Sequence, residues 1–383
     1  MIGLKRTTSV IARAGIASAL LAPLAVLSFG AAPAAAAVVV DQNTAVGTPS
    51  CTGALTQYNT IQSAVSAAPT GATIQVCPGT YAEQVTIATP LTLKGVIGTT
   101  DNAGAAVVTI PNGTFSGSFT QIDIQAAGVT LVNIGVDGSN TVSSCLPPGP
   151  ALIGILFDAG SSGTLKQVTL RNHNISSAGS YCGNGFPVYA TTAASVTVAD
   201  SSVRNFDGVG IDLTTSTSVT VKTTTVSPVY VMTPLGSIPN CVYANAPTVQ
   251  VSSNTMGSCG TGVQVATPVS GTGTVSNNTI VGFGTFSTGF GFICFLNCNG
   301  ITVSGNQIFN TQIGVTMKTE FGAGAIVFQN NSINGTLSAV YLFGQPNNTV
   351  SNNTITDAAV GVNGVSGNTV TGNSYRTVTT LTQ

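Results

Sequence analysis

The sequence predicts an all-β solenoid, a single stack of coils of roughly 25 residues each, closed at its N-terminal end by a short helix. Three observations carry this reading. The hexapeptide VSNNTI occurs at Val275–Ile280 and again, letter for letter, at Val350–Ile355. Looser copies follow the same pattern along the chain: LRNHNI at Leu170–Ile175, VADSSV at Val198–Val203, VKTTTV at Val221–Val226, VSSNTM at Val251–Met256, VSGNQI at Val303–Ile308, FQNNSI at Phe328–Ile333 and VTGNSY at Val370–Tyr375. The composition agrees: 45 glycines, no tryptophan, and abundant Thr and Val favour many short strands and turns over helices.

The first 37 residues read as a secretory signal peptide. Lys5, Arg6 and Arg13 form a basic start, Ile16 to Phe29 is apolar, and Ala35-Ala36-Ala37 supplies an A-x-A exit. The apolar run is short for a membrane span, and no later stretch reaches the length one needs. The expectation is a secreted chain, extracellular or at the cell surface. Removing the three basic residues of the leader leaves a net charge near −4. With charged residues at only 5% of the chain, there is no cluster of Lys and Arg to neutralise phosphates, so nucleic acid is not an expected partner.

Residues 38–70 form an N-terminal segment in which Ile61, Val65 and Ala68 suit one face of a short helix. Residues 71–383 carry the coils. In the nine copies of the hexapeptide the fourth position falls at 173, 201, 224, 254, 278, 306, 331, 353 and 373, a mean step of 25 residues. A period of that size marks stacked repeats. The first and sixth positions are apolar throughout, and the residue before the first is Thr169, Thr197, Thr220, Thr274, Thr302, Thr349 or Thr369 in seven copies. Apolar residues therefore face inward and polar ones outward along each strand. The fourth position is Asn in six copies, a residue that tolerates a left-handed bend and can stack into a hydrogen-bonded ladder. About eight residues further on comes another strand signal, as in GIDL (Gly210–Leu213), GVQV (Gly262–Val265) and GVTM (Gly314–Met317).

Strand, Asn turn, short strand, loop, third strand and loop, repeated, resembles the right-handed parallel β-helix of the pectin-lyase-like superfamily, and its β-helix repeat members in particular. The stretch YNTIQSAVSAAPTGATIQVCPGTYAEQVTI (Tyr58–Ile87) is similar to the opening of pectinesterases. The resemblance implies that the helix plugs the open end of the stack and that Cys51 bridges Cys77. Eight cysteines in an exported chain read as disulfides rather than metal ligands, since His173 is the single histidine. Cys145 and Cys182 fall in successive loops and suit a bridge; Cys241, Cys259, Cys294 and Cys298 fall in loops bordering the third strand.

In that superfamily ligands lie on the outer face of the third strand. The resemblance maps this face onto Leu156, Tyr189, Asp212, Tyr230, Gln264, Gly291, Thr316, Tyr341 and Asn363. Tyr189, Tyr230, Gln264 and Tyr341 suit a polysaccharide, because rings stack on sugar faces and amides bind hydroxyls. RNFDGVGID (Arg204–Asp212) holds the densest charge. Asp207 and Asp212 are the candidate acid and base of a glycoside hydrolase, and Arg204 the candidate partner of a uronate in a lyase. No cofactor is called for, although a lyase of this kind would take calcium. Asp158, Lys318 and Glu320 follow third strands, whereas Arg171 and Lys222 share a column away from the groove and His173 occupies the Asn column. The N-T-D, D-D, G-H-G and R-I-K signatures of polygalacturonases are absent, as are the acidic calcium cluster of pectate lyases and the Gln, two Asp and Arg of pectinesterases. The alternative function is non-catalytic: an adhesive or ice-binding surface using the outward Thr ladder, continued by Ser202, Thr225, Thr255, Thr279, Ser332, Thr354 and Ser374.

Overall fold

The computed structural model describes residues 38–96, 105–142, 150–177, 180–229, 239–266, 271–282, 289–295, 297–317 and 325–383. The chain winds into a right-handed parallel β-helix whose coils contribute to three parallel ladders. The first ladder has 13 strands, from Val38–Val40 to Thr369–Thr371. The second collects the short strands after the corner, from Gly79–Ala82 onward, and the third those from Val85–Ile87 onward. In the last three coils one long strand serves both, as in Ser332–Tyr341, Thr354–Asn363 and Ser374–Thr382.

The interior of the first ladder is one continuous apolar column. Ile74, Leu93, Leu131, Leu165, Val198, Val221, Val251, Val275, Val303, Phe328 and Val350 lie in register, each 0% exposed. No coil could bury these side chains alone, so stacking and folding are one event. The N-terminal end of the column is covered by the helix Ile61–Ala67, which buries Ile61, Ala64 and Val65. Thr60 caps it through its own side chain, and the Glu83 carboxylate accepts the N–H groups of Ile61 (2.8 Å) and Gln62 (2.9 Å). An acid at a helix N-terminus meets otherwise unpaired donors there. Cys51 is bonded to Cys77 with Cα atoms 5.8 Å apart, tying the segment before the helix to the first coil.

The Asn column forms a side-chain ladder. Asn254, Asn278, Asn306, Asn331 and Asn353 are each at most 1% exposed, and each donates its amide to the Oδ1 of the next at 2.9 Å, ending on Asn373. Each Oδ1 also accepts the backbone N–H of the Asn before it, as Asn278 does from Asn254 at 3.0 Å. The left-handed residue of the corner is one position earlier than expected: φ is 55° at Asn277, 57° at Asn330 and 56° at Asn352. The fourth-position Asn is free to turn its amide inward because its predecessor makes the bend.

The register corrects one copy of the repeat. Leu165 pairs with Val198, and Leu170 with Val203, so the true copy is Leu165–Leu170 and its corner residue is Val168. His173 therefore lies outside the Asn column. It is fully buried at the following bend, with Nε2 2.9 Å from Gln121 Oε1. Thr169 likewise belongs to the second ladder. Arg171 pairs with Arg204 and Asp137, whereas Lys222 pairs with Ala199 and Ser252, so the two cations do not share a column.

Candidate functional site

The register of the third ladder defines its outward row. Thr86 pairs with Asp123, Asp123 with Leu156, Leu156 with Tyr189, Tyr189 with Asp212, and Asp212 with Tyr243. The row continues through Gln264, Ile293, Thr316, Tyr341 and Asn363. Two expected members change. Tyr243 occupies the place expected for Tyr230, which lies outside the described residues. Ile293 occupies the place expected for Gly291, whose Cβ would sit 2.5 Å from the carbonyl oxygen of Gly314. That glycine belongs to a crowded inner position shared with Gly262 and Gly314.

Tyr243 was legible in principle. In NCVYAN the small apolar residues Val242 and Ala244 alternate with Tyr243, and both are buried. The insertion after Val226 moves the strand to Asn240–Asn245, while the Val-Tyr pair at residues 229–230 mimics the same alternation earlier in the sequence.

Asp212 is the most deeply buried acid of the row. It is 8% exposed and accepts a hydrogen bond from Thr214 Oγ1 at 2.5 Å. Burial raises its carboxyl to about 6, only partly offset by the Thr214 hydroxyl. The flanking tyrosines respond in turn. Burial and then the nearby Asp212 charge push both Tyr189 and Tyr243 upward, so both phenols stay protonated around neutral pH. Phe186 lies beside Tyr189, ring centroids 5.6 Å apart. The next acid in the row, Asp123, is three coil steps away, roughly 14 Å at the ~4.8 Å strand spacing. Its carboxyl is raised by burial, against a 2.7 Å hydrogen bond from Gln125 and with added repulsion from Asp158.

Asp207 is committed elsewhere. It is 2% exposed, and its Oδ2 accepts the backbone N–H groups of Ile175, Cys182 and Gly183, each at 3.1 Å. Its Oδ1 accepts that of Gly185 at 2.7 Å. Burial raises its carboxyl while these four donors pull it back down. At 2% exposure and with four backbone donors, the carboxylate is engaged by the backbone. It clamps the loop that leads into the strand Gly185–Thr191. Arg204 is on the second ladder, between Arg171 and Ser227, not in the row with Asp212. Lys318 and Glu320 lie outside the described residues.

Among the cysteines, Cys241 is bonded to Cys259 and Cys294 to Cys298. Cys241 and Cys294 belong to the third-ladder strands themselves rather than to bordering loops. Cys182 is disulfide-bonded, and Cys145 lies outside the described residues. Among the described residues, the cluster of three potential metal ligands is Asp41, Cys51 and Cys77, and its two sulfurs are taken by the disulfide. No such cluster lies around Asp212 among the described residues.

Residues 235–375 match the family described as right handed beta helix region. No curated protein matches the sequence. Among solved structures, the lacto-N-biosidase of Eubacterium ramulus is similar at 10% identity with a TM-score of 0.54, covering 90% of this chain and 68% of that one. The mannuronan C-5 epimerase A-module of Azotobacter vinelandii is similar at 15% identity and TM-score 0.44, covering 84% and 94%. Bacteriophage phi29 gene product 12 is similar at 12% identity and TM-score 0.46; this chain covers about half of it, 53%, with 81% of its own length. The chain thus has the right-handed parallel β-helix fold, and residues 235–375 carry the repeat of that family model.

Proposed function

We propose that the outward row of the third ladder binds an extracellular polysaccharide, and that Asp212 is its proton-transfer group. The observation that carries the reading is the in-register run Tyr189–Asp212–Tyr243: one carboxyl raised to about 6 between two protonated phenols. Rings and hydroxyls beside an acid suit a sugar chain laid across the coils. The likeness to a lacto-N-biosidase bears on the fold alone, and the substrate reading rests on this chemistry.

The arrangement favours lyase-type over hydrolytic chemistry. Two-carboxylate hydrolysis needs acids roughly 5–9.5 Å apart. Asp207 is taken up by backbone donors, and Asp123 is too distant. In β-elimination one base suffices: the Asp212 carboxylate takes the proton next to a uronate carboxyl, the bond to the leaving oxygen breaks, and a flanking tyrosine hydroxyl returns a proton to that oxygen. Export of the chain, as its leader implies, would place it with such polymers. Incubation with pectate, alginate and related polymers tests the reading. Unsaturated ends are expected; reducing ends alone would indicate hydrolysis, and no product from any polymer would sink the enzymatic reading.

A second reading draws on the first ladder. In register, Thr73, Thr92, Thr130, Thr164, Thr197 and Thr220 are followed, after Gln250, by Thr274 and Thr302, then after Val327 by Thr349 and Thr369. This outward hydroxyl array is longer than the hexapeptide copies alone reveal, and it suits adhesion to a regular surface. Replacing Thr274 and Thr302 together by Lys should abolish retention on insoluble glycan or activity in ice recrystallisation; unchanged behaviour would remove this face from consideration.

A further inference from the structure

We infer that Tyr341 and Phe343 form a second sugar-binding site, an aromatic platform at the far end of the same row. The inference rests on the polysaccharide reading above and extends it to a distal subsite. Tyr341 lies in the row five coil steps from Asp212, through Tyr243, Gln264, Ile293 and Thr316. That separation is roughly 24 Å at the ~4.8 Å strand spacing. Phe343 follows the end of the strand and stacks on Tyr341, with ring centroids 3.9 Å apart and planes 28° from parallel.

Two features set this pair apart from ordinary surface residues. Phe343 is 39% exposed, one of few large apolar side chains so placed among the described residues. Its backbone is also left-handed, with φ at 47°, immediately before Gly344 at φ 69°. A bulky residue in that region is a true outlier, costing on the order of 1 kcal/mol or more that glycine would not incur. The position therefore loses twice, by exposing a ring to water and by bending an unsuited backbone. A turn alone would be served better by Gly or Asn. What the phenylalanine supplies is a flat apolar face held in place by the stacked tyrosine.

The surroundings fit a sugar ring. Tyr341 is anchored from below, where Thr316 Oγ1 donates to its carbonyl oxygen at 3.0 Å. Asn363, half-buried, is its partner in the next coil and sets an amide beside the rings to meet hydroxyls. C–H faces of a pyranose would lie on the platform while the chain runs back along Thr316, Gln264 and Tyr243 toward Asp212. The platform thus selects for chains long enough to bridge the gap, several sugar units, and contributes nothing to shorter ones.

The test uses the full chain carrying Phe343→Gly, which removes the ring and relieves the backbone together. Probes are pectate and alginate polymers and their trisaccharides, with binding read by affinity electrophoresis and thermal midpoint read alongside. The expected result is a thermal midpoint equal to or above wild type, polymer affinity weakened roughly tenfold, and trisaccharide affinity unchanged. Wild-type polymer affinity in Phe343→Gly, with turnover still dependent on Asp212, would overturn the platform and leave the groove reading intact. Retention of no polymer by wild type would overturn both. A concentration-dependent dimer in sedimentation, lost in Phe343→Gly, would assign the rings to a second copy of this chain and also overturn the proposal.

Discussion

The two halves of the β-helix keep their corners by different means. From Asn254 to Asn373 the corner column is a polar ladder in which every amide repeats the bonds of its neighbour. Before it, the same column is filled by Ile134, Val168, Ser201 and Thr224. There, apart from the hydroxyls of Ser201 and Thr224, which each donate to the carbonyl two residues back, order comes from contacts made once each. The Asp137 carboxylate pairs with Arg171 at 2.8 Å, buried His173 meets Gln121, and Asp207 gathers four backbone donors from a loop. Asp212 lies next to the boundary, in the half built from unique contacts. A periodic ladder fixes a coil but leaves no room to vary it. A site needs a departure from the period, and the departure must be held by bonds of its own.

Breaking each kind of support should separate the halves. The largest effect is expected from Asp207→Ala, which leaves the N–H groups of Ile175, Gly183 and Gly185 without their acceptor, while Cys182 N–H keeps the Ile175 carbonyl. A loss of about 4 kcal/mol is expected in denaturant unfolding, with the 175–185 loop losing amide protection first. Asn278→Ala strikes the other half. It removes the acceptor for Asn254 and the donor to Val251 O and Asn306, for a cost of about 3 kcal/mol. Its protection loss should centre on the coils around Asn254 and Asn306 and spare the 175–185 loop.

Charge gives the next effect. The Asp212 carboxyl is raised from 3.8 to about 6 in the fold. Between those values the native state holds a proton that the unfolded chain has released, so stability falls as pH rises through that window. Asp212→Asn should therefore be more stable than wild type at pH 7, by on the order of 2–3 kcal/mol, and equal to it below pH 4. His173 acts in the opposite direction. Burial lowers it to about 3, so stability should fall as pH drops below 6.5, where the unfolded imidazole takes a proton that the native one refuses. Thermal midpoints at pH 4, 5, 6 and 7 for wild type and Asp212→Asn check both trends. The smallest effect sharpens the boundary itself. Thr224 N–H already donates to Asn254 Oδ1 at 2.9 Å, so Thr224→Asn should extend the ladder by one rung and stabilise by about 1 kcal/mol.

The same contrast explains what could be read from the sequence. Where the ladder runs, VSNNTI and its relatives gave register, inward faces and corner together, because one short-range pattern encodes all three. Upstream, LRNHNI mimics the pattern and points to His173, although the true corner in LKQVTL is Val168 and carries no polar signature. The outward row positions of Tyr189 and Asp212 are legible in sequence because strand alternation is local. Tyr243 was displaced by an insertion, and a strand after a long loop cannot be counted into register from period alone. Asp207 read as a groove acid because its four donors sit 22 to 32 residues away and are all backbone, leaving no trace in side-chain identity.

The central claim is that one buried carboxyl, Asp212, carries the proton transfer in this groove. The rate of unsaturated-end formation on pectate and on alginate, followed from pH 4 to 8 for wild type and Asp212→Asn, tests it most directly. The account predicts a wild-type rate that rises through a midpoint at about 6, as the carboxyl ionises, and a loss of about 100-fold or more in the variant. A variant that turns over at the wild-type rate with the same pH profile would contradict it.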